Sequence, residues 1–332
     1  MKRIGNLKNR IVDFDNICLG AYKAFKGKRN KAEVKFFLDR LDKNVVDIYN
    51  QLKNNCFEFG AYNTFTIFEP KKRLICAASL RERIVHHALM NVCHDYLDNQ
   101  LIYDTYAARK GKGIHAAVER LKVKMSKYDY FVKLDVRKYF DSVLHNKLKQ
   151  ILNDIFKDRW LLDVFDSIID SYCTSVGKGL PIGNLTSQYF ANIYLSGLDH
   201  FMKEVKRVPV YIRYMDDVVM LGNSRVQLKV FANSLMEYCN SQLGLSIKPP
   251  IIGKSINGVV FLGYRISKYQ VRLSSKSARR FKYKYNILED LLSGKQISEN
   301  EYSMRMHSLL SFINKAETKK FRNSIINRVN VL

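Results

Sequence analysis

Two adjacent acids, Asp216 and Asp217, follow Tyr214-Met215 and stand between the apolar runs Val210–Met215 and Val218–Leu221. Strand, two-residue turn, strand is the reading this pattern gives, with both carboxylates at the bend. Like charges side by side repel unless something positive compensates, and a divalent metal ion is the usual compensator. An ordinary Asp-Asp turn would look the same over four residues, because Asp is common in turns. A third acid shifts the balance. Phe131-Val-Lys-Leu-Asp135-Val-Arg-Lys-Tyr-Phe140-Asp-Ser142 puts Asp135 where a strand gives way to a helix. Alone it reads as a helix-start acid. Beside the hairpin it would complete three carboxylates at one sheet end, enough for two Mg2+ ions with substrate phosphates as further ligands. Two such ions, roughly 3.5–4 Å apart, activate an attacking hydroxyl and stabilise a leaving pyrophosphate.

Other elements must hold these acids together. Tyr130–Val136 reads as a short strand, and the hairpin supplies two more. Helical periodicity surrounds them. Arg81–Leu97 repeats Ile84, Val85, Ala88, Leu89, Val92 and Cys93, and Val143–Phe156 repeats Leu144, Leu148, Ile151, Leu152 and Ile155. Leu185–Val205 reads as one long helix after the turn Gly179-Leu-Pro-Ile-Gly-Asn184. Val226–Leu243 places Phe231, Leu235, Tyr238 and Cys239 on one side, and Gly258–Ile266 reads as a single strand run. Strand, helix, helix, hairpin, helix, strand suits an antiparallel sheet with helices on one face, an α+β layer. Up to about Asn99 the pattern is mostly helical. Ser274–Leu332 is basic and helical, with Tyr283, Ile287, Leu291, Leu309, Leu310, Ile313, Ile325 and Ile326 as expected core.

Charge narrows the partners. Among 332 residues, 56 Lys and Arg against 31 Asp and Glu give a net charge of +25, spread along the chain rather than confined to a tail. A folded protein this basic repels itself unless it meets a polyanion, and nucleic acid held through phosphates is the leading candidate. An anionic membrane is the weaker rival, for no lipidation motif, amphipathic anchor or membrane-length apolar run is present. The N-terminal stretch lacks the apolar segment of a signal peptide, so a cytoplasmic protein is expected. The six cysteines are scattered without C-x-x-C spacing, which suits reduced, mostly buried thiols. His86-His87 is the only adjacent histidine pair, with no Cys or Asp set beside it that would suit zinc.

The ordered motifs resemble those of reverse transcriptases, the RNA-templated DNA polymerases. Tyr214-Met-Asp-Asp217 looks like their YxDD motif, and Asp135, about 80 residues earlier, falls in the place of the other metal-binding acid. Arg73 in Glu69-Pro-Lys-Lys-Arg-Leu-Ile75 is similar to the fingers segment that grips the incoming triphosphate. Phe261-Leu262-Gly263-Tyr264 is similar to the strand that holds the primer. The resemblance runs from about Tyr62 to Ile266, and more loosely beyond. It implies a right-hand polymerase with palm and fingers interleaved: N-terminal extension and fingers over 1–125, an antiparallel-sheet palm carrying the YxDD hairpin with part of the fingers over 126–273, and a helical thumb over 274–332. Past the thumb-like segment there is no room for an ordinary ribonuclease H or endonuclease domain, so target nicking and RNA removal are expected of other proteins.

Roles follow from the resemblance residue by residue. Asp135, Asp216 and Asp217 would coordinate Mg2+, or Mn2+ in its place, with the Val136 carbonyl as an extra ligand. Phe140 sits where the family has an aromatic gate against a ribose 2′-OH; an ordinary core aromatic is the alternative. Arg73 would pair with phosphate in two-point geometry, with Lys71 as companion. Ile182 and Gly183 would belong to the dNTP-binding site, with Ile182 against the templating pair, and Ser187 and Gln188 to the neighbouring segment that bears on fidelity. Lys248 or Lys254 would be the general acid for the leaving pyrophosphate. Arg109, Lys110 and Lys112, in a loop without P-loop spacing, and Arg279 and Arg280 would contact the nucleic-acid backbone.

A narrower resemblance lies in Gly179-Leu-Pro-Ile182-Gly183-Asn-Leu-Thr-Ser187-Gln188. Most reverse transcriptases have Gln-Gly and Ser-Pro where this chain has Ile-Gly and Ser-Gln. That departure is similar to the hallmark of diversity-generating retroelement enzymes of bacteria and phages, which copy a template-repeat RNA with errors at adenines. Bacterial antiviral-defence enzymes that use a dedicated non-coding RNA share much of the core and form the alternative. A catalytically silent nucleic-acid binder is a third reading, disfavoured because binding alone needs positive charge rather than clustered acids. The implied partners are a structured template RNA, its cDNA product, dNTPs and a small basic helical accessory oligomer.

Overall fold

Ser79 and Glu82 show how local chemistry seats the longest N-terminal helix. In a computed structural model that describes residues 3–68, 71–314, 316–318 and 321–323, the Ser79 hydroxyl accepts from the Glu82 amide and caps helix Leu80–Asp98. The Glu82 carboxylate accepts in turn from the Gly60 and Ala61 amides at 3.2 and 2.8 Å, which fixes the chain just before strand β1 (Tyr62–Ile67). β1 pairs antiparallel with β2 (Arg73–Ala78), so the N-terminal region expected to be mostly helical also contains a two-stranded sheet. Helices Phe14–Phe25 and Leu41–Lys53, with the shorter Lys8–Ile11 and Ala32–Leu38, precede this sheet.

The chain divides into two compact units, each interleaved along the sequence. The first comprises the described residues of Met1–Tyr103, Val136–Val205 and Leu235–Lys248; the second comprises those of Asp104–Asp135, Lys206–Ser234 and Pro249–Leu332. Within the first, the single helix expected over Leu185–Val205 is broken into Leu185–Tyr194, Ser196–His200 and a π-helical turn, Phe201–Val205. Leu195 leaves helical geometry, and the Ser196 hydroxyl donates to the Ile193 carbonyl at 2.7 Å, competing with the backbone ladder. The wider turn seats Phe201 on Tyr238, with stacked rings 4.9 Å apart.

In the second unit β3 (Tyr130–Asp135), β4 (Val210–Tyr214), β5 (Asp217–Gly222) and β6 (Ile251–Lys254) form one antiparallel sheet in the order β4-β5-β3-β6. Phe131, Ile212, Val219 and Leu221 share a core with Ala117, Val118, Leu121 and Met125 of helix Ile114–Met125. Gly258–Ile266 is not one strand. Leu262 and Gly263 take positive φ of 49° and 90°, the geometry of a two-residue hairpin turn. The run therefore folds into β7 (Val259–Phe261) and β8 (Tyr264–Ile266), and β9 (Val271–Leu273) adds a third strand.

Helices Ser275–Ser293 and Glu299–Ile313 start at serine caps, Ser274 and Ser298. The inward stripe of the first is buried Ser277, Phe281 and Leu288 with half-buried Tyr285. Tyr283 and Ile287, expected in the core, are 62% and 37% exposed, because they lie on the helix faces away from Phe281 and Leu288. Ile313 is fully buried, Leu291, Leu309 and Leu310 are half-buried, and Ile325 and Ile326 lie outside the described residues. Among the described residues no helix is long and apolar enough to cross a membrane. Antiparallel sheets with helices packed on them make the fold α+β.

Candidate active site

Sheet register brings the acids together. Asp135, the last residue of β3, pairs directly with Asp217, the first of β5, and Asp217 also faces Tyr214 across the hairpin. The turn is Met215-Asp216, with Met215 at a φ of 55°. A fully buried arginine supports it from below: Arg213 donates to the Met215 carbonyl at 3.0 Å. The Arg213 backbone bonds in both directions to Asp104 and Tyr106, while the Asp104 carboxylate takes Arg120 at 2.9 Å. Thus the hairpin's outer strand is braced by Asp104–Tyr106.

Asp217 carries the strain of this arrangement. Burial pushes its carboxyl up to about 7; Lys133 opposes that, and Asp135 and Asp216 add to it. Lys133, on the same face of β3 as Asp135, places its ammonium 3.0 Å from Asp217 Oδ2 and donates to the Val260 carbonyl at 2.9 Å. Asp217 Oδ1 is buried without a hydrogen-bond partner. An orphaned carboxylate oxygen among three acids fits a hard divalent cation, which would supply the missing positive charge. Among the described residues no three His, Cys, Asp or Glu side chains are gathered closely enough to hold a metal ion by themselves. Lys133 and Arg213 were not singled out in the sequence. The signal was there: each is a cation inside an otherwise apolar strand run.

The first unit holds a different kind of site. A cleft of about 650 Å3 is lined by Lys72, Arg73, Lys138 and Lys178 with one acid, Asp141, and by Ile182. Lys71 is exposed and is not among its lining residues; Lys72 is. The loop bearing Ile182 is pinned to β2: the Cys76 amide donates to the Ile182 carbonyl at 2.9 Å, and the Ala78 amide to buried Asn184 Oδ1 at 2.8 Å. Gly183 needs to be glycine. Its φ is 125°, and a Cβ there would lie 2.9 Å from the Ile75 side chain. Ser187 is buried and Gln188 exposed at the start of the following helix.

Phe140 and its neighbour divide the labour of two aromatics. Tyr139 is the core residue, donating to the Ala191 carbonyl at 2.5 Å, while Phe140 is only half-buried, edge-on to Tyr139. Val136 is buried and bridges Ile247. In the second unit Phe261 and Tyr264 point into the core, and the Tyr264 hydroxyl donates to the Phe312 carbonyl at 2.6 Å. Leu262 and Gly263, at the turn between them, are half-buried. Lys254 is a poor partner for the acids. It pairs with Tyr130 at the other end of β3, five residues or about 16 Å from Asp135. Lys248 is half-buried. Arg109 donates to the Thr105 carbonyl, Lys112 sits 4.9 Å over the Tyr106 ring, and Lys110 is exposed. Arg279 is exposed, and Arg280 lies 5.9 Å from the Phe312 ring centre.

Residues 66–266, which include the sheet end, the cleft and the β7–β8 turn, match the family described as Reverse transcriptase (RNA-dependent DNA polymerase). The chain belongs to the reverse transcriptase family. Relatives of this reverse transcriptase include a COX1/OXI3 intron 2 protein of Saccharomyces cerevisiae, 21% identical over 80% of this chain and 38% of the relative. A 91 kDa protein in the cob intron of Schizosaccharomyces pombe is 22% identical over 69% of this chain and 37% of its own length. Protein YkfC of Escherichia coli is 21% identical over 61% and 65%. The chain thus spans well under half the length of the two intron proteins. Among solved structures, apo telomerase from Candida tropicalis superposes with a TM-score of 0.51 at 14% identity, covering 67% of this chain and 48% of that one. That likeness is one of fold, the right-hand polymerase fold, built here from antiparallel sheets and helices.

Proposed function

We propose that this reverse transcriptase is an active RNA-directed DNA polymerase that extends a primer with dNTPs on a structured template RNA. The observation that carries the reading is the cross-strand pairing of Asp135 with Asp217 beside Asp216, an arrangement costly to keep for binding alone. Asp135, Asp216 and Asp217 would hold Mg2+, with Mn2+ as a substitute and the Val136 carbonyl as a further donor. When bound, the ions supply the charge that activates the primer hydroxyl and steadies the leaving pyrophosphate. Lys133 holds Asp217 in place, and Arg213 fixes the turn that carries Asp216. Arg73, with Lys72 nearer to hand than Lys71, pairs with the triphosphate. Phe140, spared from the core by Tyr139, closes against a ribose 2′-OH. Leu262 and Gly263 meet the primer backbone, and Arg109, Lys110, Lys112, Arg279 and Arg280 follow phosphates. Of the two lysines Lys248 is the remaining candidate for general acid, since Lys254 stands at the far end of β3 from Asp135.

The copying is error-prone, as in diversity-generating retroelements of bacteria and phages, in a cytoplasmic setting and with a small basic helical oligomer as accessory. Ile182 supports this reading: it lines the cleft from a pinned loop and offers shape but no hydrogen bond, and shape alone discriminates weakly. Primer extension with Mg2+ on an adenine-rich RNA, followed by sequencing of the cDNA, tests both levels. Asp216→Ala must abolish synthesis, and Ile182→Gln must lower misincorporation at adenines. Unchanged errors in the second variant would remove the mutagenic reading and leave the polymerase intact.

A further inference from the structure

Apart from the Arg73 cleft, the first unit carries two adjoining concavities. One, of about 280 Å3, is walled by the rings of Phe57, Phe59 and Trp160. The other, of about 450 Å3, has Lys8, Lys157 and Arg159 in its wall. Lys8 belongs to both walls and marks where they meet.

The aromatic pocket is held in shape beforehand. Phe57 and Phe59 stand 4.9 Å apart, and Phe59 stacks on buried His86 at an interplanar angle of 9°. Lys8 Nζ lies 5.5 Å over the Trp160 ring and donates to Asn55 Oδ1 at 3.2 Å, so its charge stands at the pocket's edge. The acid of the basic groove is occupied. Asp158 accepts from the Leu7, Lys8 and Leu161 amides at 2.6, 3.2 and 3.3 Å. Arg159 is shared with Asp163 at 3.0 Å, whereas Lys8 and Lys157 have no carboxylate partner among the described residues. The groove therefore presents two ammonium groups without a carboxylate partner beside three rings, and the one acid in the ring pocket's wall, Asp163, is held by Arg159.

We propose that these concavities are a subsite for single-stranded RNA, in which one base stacks among Phe57, Phe59 and Trp160 while neighbouring phosphates lie against Lys8 and Lys157. Rings beside a cationic groove are the combination that binds single strands with little regard to sequence. A duplex keeps its base faces stacked and would not reach the pocket. An acidic peptide would satisfy the lysines, but it leaves the ring cluster without a matching flat partner. The subsite does not depend on the acids being catalytic.

Trp160 is the chain's single tryptophan, so its emission reports this pocket and no other. The full chain carrying Asp216→Ala is titrated with a single-stranded hexamer of adenylate, and binding is followed in parallel by the anisotropy of a 5′-labelled copy. Saturable quenching of Trp160 is expected with the hexamer, and little change with inorganic tripolyphosphate, which brings charge without bases. Lys8→Ala combined with Lys157→Ala should weaken quenching affinity about tenfold and flatten its salt dependence. Phe57→Leu keeps an apolar group but no ring, and should also weaken it about tenfold. Hexamer binding with unchanged Trp160 emission, no binding at all, equal quenching by tripolyphosphate, or full affinity in Phe57→Leu would each overturn the proposal.

Discussion

The two units bury ionisable groups with opposite consequences. In the second, burial drives Asp217 up to about 7, and one of its oxygens is left without a partner. In the first, burial drives His86 down to about 3 and His87 to about 4, the latter also through Lys23, Lys28 and Arg83. His86 is unpartnered at both ring nitrogens, yet it is neutral and stacked on Phe59, so nothing needs to arrive to complete it. An acid among acids is different: a bound cation would relieve it, as the proposed function requires. The contrast is between a buried group that packing alone accounts for and one that packing leaves unaccounted for.

The most severe way to break this comparison is to remove the acids. Asp216→Ala and Asp135→Ala should each lower primer extension roughly 10³-fold or more, because β3 has no other acid and the remaining Asp217 is already paired with Lys133. His86→Leu should leave the rate per folded molecule within about twofold. Extension assays with Mg2+ on the same primer and template measure both, and comparable losses from acid and histidine would erase the distinction.

Next comes stability against pH, measured in EDTA. Asp217 ionises near 4 when unfolded and near 7 when folded, so the folded state holds an extra proton between those values. Its contribution is full below about pH 4 and is lost as pH rises through about 7, on the order of 4 kcal/mol over that range. The histidines have the reverse sign. Their contribution is full above about pH 6.5 and is lost as pH falls toward the folded values of about 4 and 3. Asp217→Asn should therefore raise the melting temperature at pH 8 more than at pH 5, while His86→Leu should help only on the acid side. A uniform shift across pH in Asp217→Asn would count against the buried acid.

How far this was legible in the sequence follows from how local each signal is. The YxDD hairpin and the strand ending at Asp135 were readable because alternation and an apolar flank are local patterns. Helices Leu80–Asp98 and His145–Ile155 were readable from periodicity for the same reason. The break of Leu185–Val205 was not, since it answers to Tyr238 and Phe201 meeting across about 37 residues of sequence. Leu262-Gly263 hid a hairpin because a leucine at positive φ carries no turn signature. Ion pairing of Lys133 with Asp217 needed the register of β3 against β5, which no periodicity supplies.

Smaller effects distinguish the two regions by their walls. Arg73→Ala should raise KM for dNTPs about 10-fold to 100-fold through lost two-point phosphate pairing, with a lesser change in kcat. Lys72→Ala should raise it a few-fold and Lys71→Ala hardly at all, because Lys72 lines the cleft and Lys71 does not. Steady-state dNTP titration ranks the three, and an effect of Lys71→Ala equal to that of Lys72→Ala would show that the cleft does not set nucleotide affinity.

The least disruptive test concerns the loop rather than the charges. Asn184 Oδ1 is the acceptor for the Ala78 amide, and its Nδ2 already lacks a partner. Asn184→Ala removes one good bond and one unsatisfied group together, so the cost should be about 1–2 kcal/mol, below the full penalty for an orphaned amide. Asn184→Asp keeps the acceptor and drops the unsatisfied donor, but it buries a carboxylate. It should cost more at pH 8 than at pH 4, where the acid can be neutral. Chemical denaturation at both pH values gives the answer. If Asn184→Ala costs nothing while Ile182→Gln still changes fidelity, the loop is held by the Cys76 amide and the Ile182 carbonyl alone. The cleft wall would then depend on one backbone bond, in contrast to the hairpin turn, which Arg213 holds with a charge.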